Sequence, residues 1–463
     1  MENISKELNY SPVVNNHSSI VYRTISPQAG GNVTLNTGSS VGPTEFMIPP
    51  SCWIPELSRL QFGITIAAPG AKCNFVNANL LTCIDRITVY DSATSNVVMD
   101  CSNFHKYTSL VTPASTKLDQ FLTKPAHPTS GTAIPNTAAT ASPFTLEEIS
   151  KSNLLTVNDN AIDTDLCPFN PYLGRRQFYI SAATVATYLN VNIPFSAFKM
   201  TALASDKIWY SPSSLVVQIY WSAGDNFAFM ATAVGSPVTG SASCAAPVIV
   251  SPQVILANEG NLAIVSQVIN KVMTGGGIQL PIAYPTVVQT TTAASTSNSF
   301  QYQLTRGYGN RILALITAPF SASALVEQKN YHPRYVTTQY NTFLNNVAVK
   351  APNGWVGNSG TAIPSTDYSV ANLPYLYGSV VQNVYEYINA EWVHIDGFFG
   401  NKRLADVNQH EVDGLDVTTQ SSTYQWVSTM AQDATPADQS FRYFTAILGQ
   451  KTLSLTAQGT MVQ

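Results

Sequence analysis

The stretch from Pro247 to Gln289 limits what the whole chain can become. Val248-Ile249-Val250 and Val254-Ile255-Leu256 read as short β-type runs broken by Ser251-Pro252. A different period follows. Leu262, Val265, Val268, Ile269, Val272 and Met273 recur at spacings of three and four, which places them on one face of a helix. Asn258 suits the N-cap, and Glu259 suits the positive end of the helix dipole. Gly275-Gly276-Gly277 stops the helix, and Ile278-Gln279-Leu280 opens a new β-type run. One amphipathic helix therefore stands between two long β-rich halves of nearly equal length. It is expected to pack through Leu262, Val265, Val268, Ile269 and Val272.

Each half carries strand signals separated by turns. In the first, residues 1 to about 25 are polar and aperiodic and read as an arm. Asn32 to Leu35 is the first clear strand. Leu60, Phe62, Ile64 and Ile66 then alternate with Arg59, Gln61, Gly63 and Thr65, the mark of a half-buried strand. Ile84 to Tyr90, Phe178 to Ile180, Tyr188 to Ile193 and Leu215 to Trp221 continue the series. In the second half, Phe300, Tyr302 and Leu304 alternate, and Ile312 to Ile316 is apolar throughout, like a strand covered on both faces. Tyr385 to Ile395, Tyr443 to Leu448, and Leu453 with Leu455 and Ala457 supply later strands.

Thr123 to Ser142 and Asn353 to Gly378 are long loops rich in small residues. The hexapeptide Ser130-Gly131-Thr132-Ala133-Ile134-Pro135 recurs as Ser359-Gly360-Thr361-Ala362-Ile363-Pro364, one copy in each loop, which agrees with a fold used twice. Ser142-Pro143, Thr145 and Glu148 predict a short helix through Leu155.

Composition narrows the function. With 463 residues, two all-β domains of roughly 200–250 residues each fit the length. Charged residues are only 11% of the chain, against about 25% in ordinary soluble domains. A surface of neutral hydroxyls and amides suits a protein that assembles. The net charge of −4 and the lack of a basic tail disfavour a nucleic-acid-binding surface. No apolar run reaches the roughly 18 residues of a membrane span, and Met1 to Asn16 lacks the pattern of a signal peptide. Cys52, Cys73, Cys83, Cys101, Cys167 and Cys244 form no CxxC pair and no zinc spacing, and are expected as buried free thiols.

Motifs that could support catalysis are few and weak. Gly38-Ser39-Ser40-Val41-Gly42 fits the nucleophile-elbow pattern, but strand signals follow where the elbow needs a helix, so an ordinary turn is expected. Asp159, Asp163 and Asp165 lack the spacing of a calcium loop. The densest ionisable cluster is His394, Asp396, Asp406, His410, Glu411, Asp413 and Asp416. Such groups can bind a divalent cation or do acid–base work, although a solvated loop is the simpler reading. No catalytic, cofactor-binding or metal-binding residue is assigned, no cofactor is expected, and the chain is not read as an enzyme.

Three stretches carry a family resemblance. The first runs from Ile193-Pro194-Phe195 through Leu203-Ala204-Ser205 to Leu215–Trp221. The second is the strand, helix, Gly run and strand of residues 248–282. The third joins Leu304-Thr305-Arg306-Gly307-Tyr308-Gly309-Asn310-Arg311 with Tyr340-Asn341-Thr342-Phe343-Leu344-Asn345-Asn346. Together they resemble the double jelly-roll major capsid proteins of tailless icosahedral double-stranded DNA viruses, most of all those of Polinton-like viruses and virophages. The likeness covers most of residues 30–463 in layout.

The resemblance implies an all-β chain of two consecutive eight-stranded jelly rolls joined by a strand–helix–strand linker. It implies an N-terminal arm at 1–29, a first jelly roll at 30–257, a linker helix at 258–277 and a second jelly roll at 278–463. It further implies a structural role: pseudo-hexameric homotrimers that tile an icosahedral shell around the genome. Neighbouring capsomers, penton and minor capsid proteins would be the partners, and the virion, assembled inside the infected host cell, the location. The loops near Ser130 and Ser359 would be outward towers or locks between subunits. Two other classes stay open. One is a receptor- or carbohydrate-binding jelly-roll protein resembling a spike or lectin. The other is a β-sandwich hydrolase using the acidic cluster between Asp396 and Asp416.

Overall fold

The computed structural model describes residues 19–36, 38–66, 72–75, 80–115, 177–179, 187–224, 228–231, 247–292, 297–321, 337–349, 355–356, 394–399, 404, 407–430 and 441–463. The N-terminal half contributes β1 (Ile20–Ile25), β2 (Asn32–Thr34), β3 (Val41–Ile48), β4 (Arg59–Ile66), β5 (Lys72–Phe75), β6 (Ile84–Asp91) and β7 (Val97–Cys101). Helix α1 (Phe104–Ser115) follows, then β8 (Gln177–Tyr179), β9 (Thr187–Pro194), β10 (Leu215–Trp221), β11 (Ala228–Ala231) and β12 (Val248–Glu259). Helix α2 (Leu262–Met273) leads to the C-terminal half, which opens with β13 (Ile278–Thr292), β14 (Ser297–Leu304), β15 (Arg311–Ser321) and β16 (Thr337–Leu344). It continues with β17 (Val347–Ala348), β18 (Trp355–Val356), β19 (His394–Gly397), β20 (Leu415–Asp416), β21 (Ser422–Met430), β22 (Phe441–Thr456) and β23 (Gly459–Val462).

The two halves repeat one antiparallel layout. In the first, one sheet runs β1-β12-β4-β9 and the other β3-β10-β6-β7. In the second, the sheets run β13-β22-β15-β19 and β14-β21-β16-β17. Counting only the eight strands on these two paths in chain order, the strands of one sheet are first, eighth, third and sixth. Those of the other are second, seventh, fourth and fifth. The order is the same in both halves.

The alternation read in the sequence decides which face of each strand is core. Leu60, Phe62 and Ile64 are buried, and so are Leu215, Val217, Ile219 and Trp221. Ile312 to Ile316 is buried at every position, as its unbroken apolar run predicts, because its sheet is covered on both faces. The two copies of the Ser-Gly-Thr-Ala-Ile-Pro sequence lie outside the described residues. By chain position, however, each falls between the fifth and sixth strands of its half. A three-stranded sheet, β11-β5-β8, is built from the segments after the seventh, third and fifth strands of the first half. The antiparallel pairing of β4 with β9 and β12 gathers those segments at one end.

Several expectations need correction. Ile20–Ile25, inside the expected arm, is β1, paired from Ile20↔Glu259 to Ile25↔Val254. No alternation was visible there because Val21, Tyr22, Arg23 and Thr24 are all exposed. The two runs around Ser251-Pro252 are one strand with a bulge. Ser251 takes a φ of +48°, and the pairing with β4 skips from Val250↔Gly63 to Gln253↔Gln61. The runs at Tyr443 and Leu453 likewise join into β22.

The N-cap of α2 is Asn261, whose Oδ1 accepts from the Ala263 N–H at 3.0 Å, because pairing with β1 holds Asn258 and Glu259 in the strand. Glu259 does serve the helix start, since its Oε1 accepts from the Asn261 N–H at 2.8 Å. The expected packing face of α2 is only partly correct. Val272 is buried and Val265, Val268 and Ile269 are half-buried, but Leu262, in the first turn, is 79% exposed. Glycines 276 and 277 end the turn at φ +84° and +92°. The helix expected from Thr145 to Leu155, the Asp159–Asp165 group and Asp406 lie outside the described residues.

Candidate functional site: the seam between the two halves

Helix α1 follows β7 directly and carries an apolar face, Phe104, Tyr107, Leu110 and Val111, all fully or almost fully buried. Phe104 stacks on Tyr107 at 5.6 Å and meets Phe198 edge-on at 5.6 Å. The Tyr107 hydroxyl donates to the Lys199 carbonyl at 2.6 Å, which locks the helix to its own half. The opposite side of α1 reaches the other half. Lys106 is 3% exposed, and its Nζ lies 4.5 Å from the Phe320 ring centroid and 5.5 Å from that of Phe444. The surface under it is made by Ala314, Ile316, Ala318, Phe320, Phe444 and Ala446, all in one hydrophobic cluster with the core of the first half. Alanines at three of these positions let the helix approach closely. The burial is that of a domain interior.

A polar tie accompanies the apolar one. Asp91, at the end of β6, has no exposed surface. Its Oδ2 accepts from the Thr460 N–H of β23 at 2.8 Å and from the Ser213 hydroxyl at 2.5 Å. Its Oδ1 accepts from the N–H groups of Ala93 at 2.9 Å and Thr94 at 3.2 Å. The Thr460 hydroxyl donates to Ser211 Oγ at 2.9 Å. Burial by itself raises the Asp91 carboxyl, but the hydroxyl of Ser213 and the three backbone N–H donors outweigh it and hold the group below its ordinary value.

His410 makes a second tie. Its Nδ1 lies 2.7 Å from the Pro281 carbonyl, which can only accept, so Nδ1 carries the proton. Nε2 then faces Ser205 Oγ at 3.1 Å and Asp206 Oδ1 at 3.1 Å, both from the first half. Burial lowers the His410 pKa against the opposing pull of Pro281 and Asp206.

Among the described residues the acidic cluster does not converge. Asp396 is buried and accepts from the Tyr424 hydroxyl at 2.6 Å. Asp413 accepts from its neighbour's N–H, and Asp416 accepts from Thr418 and pairs with Arg311 at 3.3 Å. His410 belongs to the seam. Among the described residues no group of three His, Cys, Asp or Glu side chains could hold a metal ion. Ser39 and Ser40 lead straight into β3, so the elbow-like pentapeptide is a turn before a strand. In the sequence His410 stands only as a member of a cluster read most simply as a solvated loop, and Asp91 and Lys106 carry no signal of their roles at the seam. The Asp91-Ser92 pair reads only as a strand end, and a buried lysine on an apolar helix has no motif.

Cys52, Cys83 and Cys101 are buried free thiols, as expected. Burial pushes the Cys52 thiol up to about 11 and raises the other two further. All three are therefore expected to resist iodoacetamide at pH 8 in the native protein and to react on denaturation, as read by peptide mass spectrometry. Native labelling of Cys83 or Cys101 would contradict the packing.

No protein-family model and no curated protein matches the sequence. Solved structures do. The crystal structure of the mavirus major capsid protein aligns over 100% of this chain and 95% of its own, with a TM-score of 0.52 at 11% identity. The crystal structure of PBCV-1 VP54, fitted into a cryo-EM reconstruction of the virophage Sputnik, aligns over 98% of each chain, with a TM-score of 0.52 at 9% identity. These alignments run through both halves, and the strand order of each half is that of eight strands in two Greek keys.

The fold is a double jelly roll.

In these terms β1 to β12 form the first roll and β13 to β23 the second, with α2 between them. The seam is the contact of the fourth and fifth strands and α1 of the first roll with the sheet that holds the first and eighth strands of the second.

Proposed function

We propose that this chain is a structural subunit of an icosahedral viral shell, a major capsid protein. The observation that carries the reading is the repeated strand order over the whole chain, aligned end to end with a protein described as a major capsid protein. Three chains would close into a six-sided capsomer, and capsomers would tile a shell that encloses a double-stranded DNA genome. The chain's place is then the virion, and its work is burial between copies rather than chemistry. Other capsomers, pentons and minor capsid proteins are its partners in this reading. Low charge supports it, because neutral surfaces of hydroxyls and amides pack together with little desolvation cost.

Light scattering after gel filtration tests the proposal. The expected species has a mass of about 150 kDa, three times the 49.9 kDa chain, and shows six-sided particles by electron microscopy. A protein that stays monomeric at high concentration overturns it.

A further inference from the structure

The apolar face of α2 is wider than the surface beneath it. Val272 is buried, and Val265 and Val268, on the same side of the helix, are half-buried. Beside them runs a second line, Leu262, Ser266, Ile269 and Met273, at spacings of four, three and four. Leu262 is 79% exposed and Met273 44%, Ser266 is exposed, and Ile269 is half-buried. A surface helix ordinarily keeps polar residues on such a line.

The start of the described chain is tied down at the same place. Ile20 pairs with Glu259 in antiparallel register, so the residues before Ile20 run on past the end of β12, where the chain leaves for α2. Glu259 Oε1 accepts from the Ser19 N–H at 3.0 Å and from the Asn261 N–H at 2.8 Å. One carboxylate therefore holds both the incoming segment and the first turn of the helix. Gly260 donates its N–H to the Ser19 carbonyl, and the crossing is close enough to need glycine. A Cβ at Gly260 would stand 2.8 Å from the Ser19 oxygen. Glu259 is buried, and its Oε2 has no donor among the described residues. A buried carboxylate oxygen calls for a donor. Ser18, next along the chain, offers an N–H and a hydroxyl.

We infer that residues 1–18 of the same chain fold back along α2 and cover this second line, with Val13 and Val14 toward Leu262 and with Ile4 and Leu8 toward Met273. The segment is polar between these apolar side chains, so it has few others to bury. Its length suffices. The twelve residues of α2 span about 18 Å, and the stretch from Ile4 to Ser18 reaches up to about 50 Å when extended. Attachment at Ser19 favours the same chain over another copy, because a short tether gives a segment an effective concentration of about millimolar. The inference concerns a single chain and stands apart from the shell proposed above.

The test places a benzophenone photocross-linker at Leu262 in the full chain, and at Met273 in a second sample. Both positions are exposed, so the fold should tolerate them. Nitrogen-15-labelled and unlabelled chains are refolded together before illumination. Mass spectrometry is expected to find cross-links into residues 1–18, with both joined peptides carrying the same label. Joined peptides of mixed label would give the helix to the segment of another copy and overturn the inference. Cross-links that miss residues 1–18 also overturn it, whether the line then proves bare or takes up phosphatidylcholine vesicles. A second measurement leaves the helix unaltered. In a chain carrying Val13→Asp and Val14→Asp, the amides of Val265 to Met273 are expected to exchange hydrogen about tenfold faster, with those of β12 unchanged. Equal exchange in the altered and unaltered chains would show that the segment does not cover α2.

Discussion

Asp91→Ala is expected to destabilise the folded chain by about 3–5 kcal/mol, because it strips the acceptor from several buried donors at once. Thr460 is fully buried, and its N–H would be left facing a cavity. The N–H groups of Ala93 and Thr94, which shape the turn after β6, would lose their acceptor too. Since Thr460 belongs to the second roll and Asp91 to the first, the damage falls on the seam. Denaturant unfolding should show it as a lower midpoint, or as a split into two transitions if the rolls come apart.

Asp91→Asn keeps the shape and loses the charge, and should cost about 1.5–3 kcal/mol. The pH dependence has a definite sign. The folded carboxyl titrates below its ordinary value, and the unfolded one near about 3.9. Its stabilisation is therefore fully present above the unfolded pKa and is lost as pH falls through the folded one. The asparagine variant should lack this part of the acid dependence. Equal acid profiles for the two proteins would mean that Asp91 is not the carboxylate that carries it.

Gly449→Ala should be comparably severe, at about 3 kcal/mol or slightly more, near the upper end for overpacking. Gly449 lies in β22, between β13 and β15. A Cβ there would overlap the carbonyl oxygen of Tyr308 and stand 2.8 Å from its carbonyl carbon and 3.1 Å from the Tyr284 oxygen. All three atoms are backbone, so no side chain can swing aside. The close crossing also sets the neighbouring bonds. Asn310 donates its N–H to the Gln450 carbonyl at 2.8 Å, and Gln450 Nε2 donates to the Gln409 carbonyl at 3.0 Å. Pushing Tyr308 away would pull on both. Leu448→Val, one residue earlier and fully buried, is the control and should cost only about 1 kcal/mol. If the two substitutions lower the midpoint equally, the backbone crossing does not limit the strand.

Much of the fold is legible in the sequence because sheet faces impose a period of two. Leu60 to Ile64 and Leu215 to Trp221 announce their buried faces by alternation, and Ile312 to Ile316 announces a doubly covered strand by its absence. The helix between the rolls is legible by its period as well. What alternation cannot show is an edge strand open on both faces, which is why Ile20–Ile25 reads as an arm. It also cannot show whether a break such as Ser251-Pro252 ends a strand or bends one. The seam is still less legible. Asp91 and Lys106 gain their roles only from residues hundreds of positions away, and no local pattern encodes the partner. The acidic cluster misleads for the converse reason: closeness in sequence does not bring Asp396, His410 and Asp416 together in space.

In both rolls the eighth strand lies between the first and the third. Ile20 waits for Glu259 in the first roll, and Ile278 waits for Leu455 in the second. A chain emerging from the ribosome therefore holds each sheet open until its last strand has been made. Pairing over such distances is slow, and the waiting edges can be captured by other chains. The order of synthesis gives the first roll a head start: β12 is complete before β13 exists, so the first sheet can close before its twin offers competing strands. Exchanging the two rolls in a circularly permuted chain would reverse that order. It would then present the apolar seam surface around Phe320 and Phe444 to solvent first, with nothing yet made to cover it.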